Sequence, residues 1–354
     1  MMSAADDRAL TMVRERLRAL DRTWSQPLPA VAERLLERIA PPSWTLEWLL
    51  PRWIGAPLGL DETTTIDLML ANVLGLGYVR LQDDLADGGV EKAALPATVC
   101  LSALLYQEWM ALYRRLLAAS SPFWTYCARY QSQWIEATLY SNQQPEAAFA
   151  ADNDNDLLRL AARGAPLKIC CAGVCLLADH EEKIVPLTSA IDYLLAGMVL
   201  VDHAADWMDD LAAGRYNAFV HSISSHAQTP EHQEINRRRV MEEIFLGDAG
   251  RPYLELARRS VQRAIRLATT FSVTCAGSRG RWSPRERAWP TRRAWRCARR
   301  PKRSLAAPMP SGQSDESDSG TSLHPARPLR WRRRERPLRE RPAHPTSRSS
   351  FTPR

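Results

Sequence analysis

The sequence lacks the features that build β-sheets and membrane spans. Only 16 of its 354 residues are glycine, and runs of β-branched residues are rare, so helix is favoured over strand. No uncharged stretch reaches about 18 unbroken apolar residues, the length that crosses a bilayer. The N-terminal segment is charged throughout and has no apolar signal core. We therefore expect an all-α, cytoplasmic protein without a membrane span.

Cysteine spacing typical of a zinc site is also missing. The chain has 7 cysteines, an odd number, and Cys170, Cys171 and Cys175 lie in an apolar helical stretch. A free cysteine in such a place is usually a small buried hydrophobic side chain. We expect reduced thiols, in agreement with a cytosolic compartment.

Basic residues are outnumbered by acidic ones outside the C-terminal part, although the formal net charge of the whole chain is +7. Residues 273–354 hold 21 of the 47 Lys and Arg residues and 6 of the 40 acidic ones, so their net charge is +15 and that of residues 1–272 is −8. An acidic body argues against nucleic-acid binding by the folded part. We predict an all-helical domain, residues 1–272, and an Arg/Pro-rich tail, residues 273–354.

The tail permits two interpretations. One is a disordered basic segment that binds anionic lipid or nucleic acid. The other is the frameshifted translation of a GC-rich gene, which yields the same mixture of Arg, Pro and Ser. No predicted site residue lies in this segment.

Hydrophobic periodicity predicts a single bundle of seven or more helices. Pro41 and Pro42 end the first of them, and Asp61 or Thr63 is placed to cap the helix that follows the Trp-rich segment 43–60. The predicted helices are 5–39, a short helix within 43–60, 61–86, 95–119, 122–142, 153–179, 185–213 and 233–270.

A first acidic row, Asp83, Asp84 and Asp87, stands at the end of the predicted helix 61–86. Asp83 and Asp87 are four residues apart and share a helix face, and Asp84 lies about 100° round. Three carboxylates at the negative end of the helix dipole repel one another at a cost of roughly 1 kcal/mol. Mg²⁺ would remove that cost, because it binds one or two carboxylates together with water and substrate phosphates. A solvated turn is the alternative.

A second acidic row, Asp202, Asp206 and Asp210, recurs every four residues near the end of the predicted helix 185–213. Asp209 lies beside Asp206, and apolar residues precede the row on the same face. Such a surface suits a ligand with a greasy chain and a charged head group. The alternative is a solvated helix face, but no Lys or Arg occurs between Asp202 and Asp210.

Two such rows in an all-helical chain resemble the class I isoprenoid synthase superfamily. Residues 83–87 are similar to its DDxxD motif. Residues 202–210, followed by Gly214, Arg215 and Tyr216, resemble the DxxxD stretch of squalene and phytoene synthases and the second aspartate motif of polyprenyl synthetases. The resemblance covers roughly residues 60–270. It implies a bundle of antiparallel helices around a central cavity.

A third element agrees with that resemblance. Gly164 and Pro166 are placed to break the predicted helix 153–179, and the family has a broken helix before its second motif. The resemblance makes Arg163 and Lys168 candidate diphosphate contacts, Arg by bidentate geometry and Lys as a point charge. Two ordinary surface cations in a loop are the alternative.

The resemblance implies a Mg²⁺-dependent enzyme that ionises a prenyl diphosphate with three Mg²⁺ ions. Both acidic rows would hold metal. The catalytic residues implied are Asp83, Asp84, Asp87, Asp206 and Asp210, and the substrate-binding residues are Arg163, Lys168, Arg215 and Tyr78. The aromatic Tyr78, Trp134 and Trp207 are candidates for cation–π contact with a carbocation, with core packing as the alternative.

Two basic features of the chain-elongating members are missing. Those members carry a Gly-Gly-Lys-x-x-Arg segment before the first motif and an Arg pair after it, whereas Asp87 is followed here by Gly88, Gly89, Val90 and Glu91. Head-to-head condensation or cyclisation is therefore favoured over chain elongation. The rival interpretation is a non-catalytic helical protein that binds prenyl diphosphate without turnover. Peripheral membrane contact and a homodimer stay open.

Overall fold

Helices alone build the part of the chain that the structure describes. This computed structural model describes residues 2–143, 154–214, 217–226, 237–245, 247 and 250–276, and they lie within one compact unit. The predicted all-α class is confirmed, since no strand occurs in these ranges. Residues 273–276, assigned to the tail from the sequence, still belong to the last helix, and residues 277–354 lie outside the described residues.

Twelve α-helices and two 3₁₀ turns follow one another within the described ranges. They are α1 (Ala4–Asp21), α2 (Leu28–Arg38), α3 (Thr45–Leu58), α4 (Glu62–Ala86), α5 (Leu95–Leu116), α6 (Phe123–Gln143), α7 (Asp154–Ala161), a 3₁₀ turn (Ala162–Gly164), α8 (Leu167–Leu177), a 3₁₀ turn (Glu181–Lys183), α9 (Ile184–Ala212), α10 (Ala218–His226), α11 (Arg237–Phe245) and α12 (Gly250–Ala276).

Two of the predicted helices are divided in the structure, and one helix was not predicted. The first predicted helix, 5–39, is two helices, because Pro27 has no N–H and cannot continue a helix. The last, 233–270, divides into α11 and α12 around Gly247, where glycine and the nearby Pro252 disfavour helix. The helix α10 was not predicted. By contrast, the predicted cap of α4 is confirmed, since the Asp61 side chain accepts a hydrogen bond from the Thr64 amide.

The centre of the bundle is the short helix α8. Residues 167–175 are all buried, because α8 packs against α3, α4, α6 and α9. The helices that carry the two acidic rows, α4 and α9, make little direct contact with each other. The fold therefore holds the rows apart, with α8 and the break before it in contact with both helices.

One described stretch, Glu181–Ala212, is long and apolar enough to cross a membrane by length and composition alone. Its most apolar window is 61% buried inside the fold, and the core helix of a helical bundle passes the same test. The bent pair formed by α7 and α8 passes only when it is counted as a single span. The expected lack of a membrane span therefore stays a prediction.

Candidate active site

The first acidic row occupies the last turn of α4 and the residue that ends it. The Asp87 amide, in the C-cap position, donates to the Asp83 carbonyl oxygen at 2.9 Å. The side chains of Asp83 and Asp84 are only 16% and 14% exposed, whereas Asp87 is exposed. The three carboxylates therefore differ in environment, and two of them lie inside the protein surface.

Asp84 is held by two arginines that the sequence argument left out. Arg38, the last residue of α2, donates from Nη1 to Asp84 Oδ2 at 2.9 Å and from Nη2 to Oδ1 at 3.2 Å. Arg80 Nη2 lies 3.7 Å from the same Oδ1, and its guanidinium carbon lies 5.7 Å from the centre of the Trp44 ring. Mutual repulsion among the three carboxylates is therefore offset at Asp84 by these two arginines. A metal-binding role for Asp84 would require its carboxylate to leave Arg38.

Asp83 has a different character, because part of its carboxylate lacks a partner. Its Oδ1 is buried and accepts no hydrogen bond from any described residue. Burial raises the pKa of Asp83; the charges of Arg163 and Arg80 oppose the rise, and those of Asp87 and Asp84 add to it. A buried carboxylate oxygen without a donor is costly, and a hard cation with a preference for oxygen ligands would satisfy it.

The predicted break between α7 and α8 is confirmed, and it places Arg163 within electrostatic range of Asp83. The chain bends by 82° there. A Cβ on Gly164 would lie 2.8 Å from Leu195 Cδ1, so glycine lets the break press against α9. Ala165 is fully buried in a small cluster with Val79 of α4 and Trp134 of α6. The break is thus wedged between the two acid-bearing helices, with Arg163 close enough to Asp83 to act on its pKa.

The second acidic row follows α9 towards its end. Asp202, Asp206 and Asp210 are all half-buried, whereas Asp209 is exposed, so the stripe predicted from the sequence faces the protein and Asp209 faces solvent. Leu195, which touches the break, lies seven residues before Asp202, two turns along the same face. The break therefore contacts the face of α9 that carries the second row.

A buried asparagine that the sequence argument did not identify fixes the end of this row. Asn217 donates from Nδ2 to Asp210 Oδ2 at 2.8 Å and to the His203 carbonyl oxygen at 2.9 Å. Its Oδ1 accepts from the Phe219 amide at 3.0 Å, the bonding of an N-cap residue. His203 Nδ1 accepts from the Ala218 amide at 3.1 Å, so this histidine also helps to hold the start of α10. An Asn just before an apolar run is the signal that predicts such a cap.

The other three predicted substrate-binding residues are Lys168, Arg215 and Tyr78, and the structure describes the surroundings of two of them. Lys168 is buried in the bundle, with Nζ 2.7 Å from Asp192 Oδ1, so its charge is directed to α9 and a diphosphate contact would require it to leave Asp192. Arg215 lies outside the described residues. Tyr78 is half-buried in an aromatic cluster, with ring centres 5.2 Å from Tyr106 and 5.8 Å from Trp134.

The donor atoms at this site suit Mg²⁺ better than a metal that needs a complete protein cage. No group of three or more His, Cys, Asp or Glu side chains converges on one point within the described ranges. Mg²⁺ is usually bound by one or two carboxylates and keeps water or substrate phosphates as its other ligands. The partnerless Asp83 oxygen and the half-buried second row are oxygen donors of that kind.

Comparison with solved structures agrees with the fold. A geranylgeranyl pyrophosphate synthetase from the archaeon Geoglobus acetivorans matches with a TM-score of 0.63 at 18% sequence identity, over 83% of this chain and 97% of that chain. The likeness establishes an all-α fold of the isoprenoid synthase type. No protein-family model matches the chain, and no curated protein sequence does.

Proposed function

We propose that this chain is a Mg²⁺-dependent enzyme that ionises a prenyl diphosphate. The observation that carries the proposal is the buried Asp83 oxygen without a partner, within electrostatic range of Arg163, whose charge lowers the pKa of Asp83. Asp83 Oδ1 can bind a cation, while Oδ2 of the same carboxylate lies 3.7 Å from Arg80 Nη1. The Arg163 side chain can bind an anion. A diphosphate with bound metal supplies both charges at once.

The proposed metal ligands are Asp83 and Asp87 of the first row and all three members of the second. Mg²⁺ bound there would neutralise the negative charge that develops on the leaving diphosphate. Arg163 would donate two hydrogen bonds to phosphate oxygens and so orient the head group. Asp84 keeps Arg38 in place, and Arg215 stays a predicted contact with the same head group.

Below the head group, Tyr78 would face the prenyl chain. It lies five residues before Asp83 on α4, and the Trp134 ring supports it. An aromatic face can stabilise a nearby carbocation by about 0.5–2 kcal/mol. In this proposal the aromatic cluster excludes water from the reactive carbon, since water would capture a carbocation.

Head-to-head condensation or cyclisation is favoured over chain elongation in this proposal. Elongation needs a second diphosphate site, and the basic segments that bind it in the family are absent from the sequence. The proposal assigns Arg163 to the first diphosphate. The other arginines described near the first row, Arg38 and Arg80, both interact with Asp84. They are therefore not available for a second diphosphate.

Release of diphosphate from farnesyl or geranylgeranyl diphosphate by the full chain, with and without Mg²⁺, tests the proposal. Asp83→Asn and Asp206→Asn are each expected to slow release by roughly 100-fold or more, as the loss of an electrostatic group at a reacting centre typically does. Asp209→Asn is the matched control, because Asp209 is on the same helix but exposed, and its rate should stay at the wild-type level. Wild-type rates in both Asp83→Asn and Asp206→Asn would refute the proposal.

A second candidate is a protein that binds prenyl diphosphate without turnover. The two hydrogen bonds from Arg38 to Asp84, the Arg38–Asp84 fork, favour it, because they neutralise one carboxylate of the first row. Calorimetry with Mg²⁺ and a prenyl diphosphate analogue separates the two. Mg²⁺-dependent binding together with no diphosphate release supports the second candidate.

The two-part organisation of the chain and its cytoplasmic location are also proposals. A shortened chain should end after Ala276, since α12 reaches that residue. We expect it to keep the Mg²⁺-dependent activity of the full chain. Loss of activity would assign residues 277–354 to the enzyme.

A further inference from the structure

Lys168 is the only charged residue of α8, and it is buried with its whole helix. Its side chain is 5% exposed, and Nζ lies 2.7 Å from Asp192 Oδ1 on α9. Gln133 Oε1 on α6 accepts from the same Nζ at 2.9 Å, and the Tyr130 ring centre is 4.8 Å away. The ammonium group is therefore engaged by the two helices that flank α8.

Stability alone does not explain this ion pair. Burial raises the pKa of Asp192 even though Lys168 and Arg129 oppose the rise. The attraction of these two cations therefore does not fully offset the cost of removing the carboxylate from water. Replacing a buried ion pair by apolar side chains is often neutral or stabilising. The best attested use of such a pair is to select one packing register among several.

The helix α8 has few features that would fix its axial position against the neighbouring helices. Its residues are apolar on every side, and Cys170, Cys171, Ala172 and Gly173 form a run of small side chains. Such a surface offers few large side chains that interlock with neighbours at one axial position only. A shift by one turn would move the helix about 5.4 Å. Arg163, five residues before Lys168, would move with it.

We propose that the Lys168–Asp192 pair is a positioning device, which fixes α8 against α9 and thereby holds Arg163 opposite Asp83. The proposal rests on the function given above, in which Arg163 contacts the diphosphate. It replaces the direct diphosphate contact expected for Lys168 from the sequence. Lys168 acts through Arg163 and touches no substrate.

The first test needs no substrate. A double-mutant cycle of Arg163→Gln and Asp83→Asn, measured by urea unfolding, gives the interaction between these two side chains. We expect an interaction in the wild-type background and none in Lys168→Met/Asp192→Leu. In Lys168→Gln/Asp192→Asn, which keeps a polar contact without charge, we expect the interaction to persist.

A matched control replaces another ion pair between helices. Arg16 of α1 pairs with Asp67 of α4, the helix that carries Asp83. In Arg16→Met/Asp67→Leu the Arg163–Asp83 interaction should be unchanged, since this pair lies far from the break. Persistence of the interaction in Lys168→Met/Asp192→Leu, or its loss in Lys168→Gln/Asp192→Asn, would overturn the positioning role.

The second test separates positioning from ordinary structural support. We expect Lys168→Met/Asp192→Leu to unfold at a urea concentration no lower than wild type, while kcat for diphosphate release falls about 100-fold, the usual effect of a misplaced reacting group. A parallel loss of stability and kcat, or an unchanged kcat, would contradict positioning. If wild type releases no diphosphate, the proposed function fails, and the unfolding cycle still decides whether the pair holds Arg163.

Discussion

Glu47 gives the sharpest quantitative prediction, because it is an acidic residue buried inside the helical bundle. It lies in the first turn of α3, which packs against α4 and α8. Burial raises the pKa of Glu47 from 4.5 to about 7, and a backbone hydrogen bond opposes the rise. The substitution Glu47→Gln removes the charge while the shape of the side chain is kept.

The sign of the effect follows from the direction of the shift. A carboxyl whose pKa is higher in the folded protein binds its proton more tightly there, so it favours folding most below the unfolded pKa. This contribution is lost as pH rises through the folded pKa. A rise from 4.5 to about 7 corresponds to about 3 kcal/mol once Glu47 is fully ionised. We expect the wild type to lose that free energy of unfolding between about pH 4.5 and about pH 8, relative to Glu47→Gln.

Urea unfolding at a series of pH values measures this difference. The free energy of unfolding of Glu47→Gln should exceed that of wild type by about 3 kcal/mol at about pH 8.5, and the gap should nearly close at about pH 4.5. Glu37→Gln on α2 is the control, because Glu37 is exposed and should leave the wild-type pH dependence unchanged. Parallel pH curves for wild type and Glu47→Gln would refute the reasoning.

Three further predictions concern the candidate site. Asp83→Asn should raise the free energy of unfolding at neutral pH without Mg²⁺. Burial raises the pKa of Asp83, so its ionised form costs stability above that pKa. A lower stability of the variant in urea would contradict this. Arg38→Gln should lower the free energy of unfolding by about 2 kcal/mol, the value of hydrogen bonds to a charged group, and an unchanged urea midpoint would count against the Arg38–Asp84 fork. Gly197→Ala should lower the free energy of unfolding, measured in urea, by about 1–3 kcal/mol. The added Cβ would lie 2.6 Å from Val261 Cγ2 and 3.1 Å from the Ala257 carbonyl oxygen. Equal or higher stability would show that α12 moves away from α9 at no cost.

The sequence predicts local features of this fold better than pairings between helices. The Asp61 cap and the break at Gly164 follow from residues within a few positions of each other, and both are confirmed. Arg80 lies three and four residues before Asp83 and Asp84, so its role was open to prediction from helix spacing. Arg38 lies 46 residues before Asp84, and periodicity alone says nothing about which helices meet.

Lys168 is a second residue whose partner on another helix the sequence alone does not predict. Its place after a helix break predicts exposure near an anion, because isolated lysines are rarely buried. The structure gives it a buried partner on α9, which is visible only once α8 and α9 are packed together. The position of Asp192 in an otherwise apolar stretch of α9 was the available signal, since a lone acid there needs a counter-charge.

The fork between Arg38 and Asp84 bears on how this chain can be shortened. A truncation that starts at α3 would leave every metal-binding and aromatic candidate in place, yet it would remove the guanidinium that neutralises Asp84. Asp84 would then stand beside Asp83 and Asp87 without its closest cation, and Arg80 would be left as its nearest described counter-ion. The N-terminal helical hairpin thus sets the charge of the candidate site from outside it, and a shortened chain made to test the proposed activity has to retain α2.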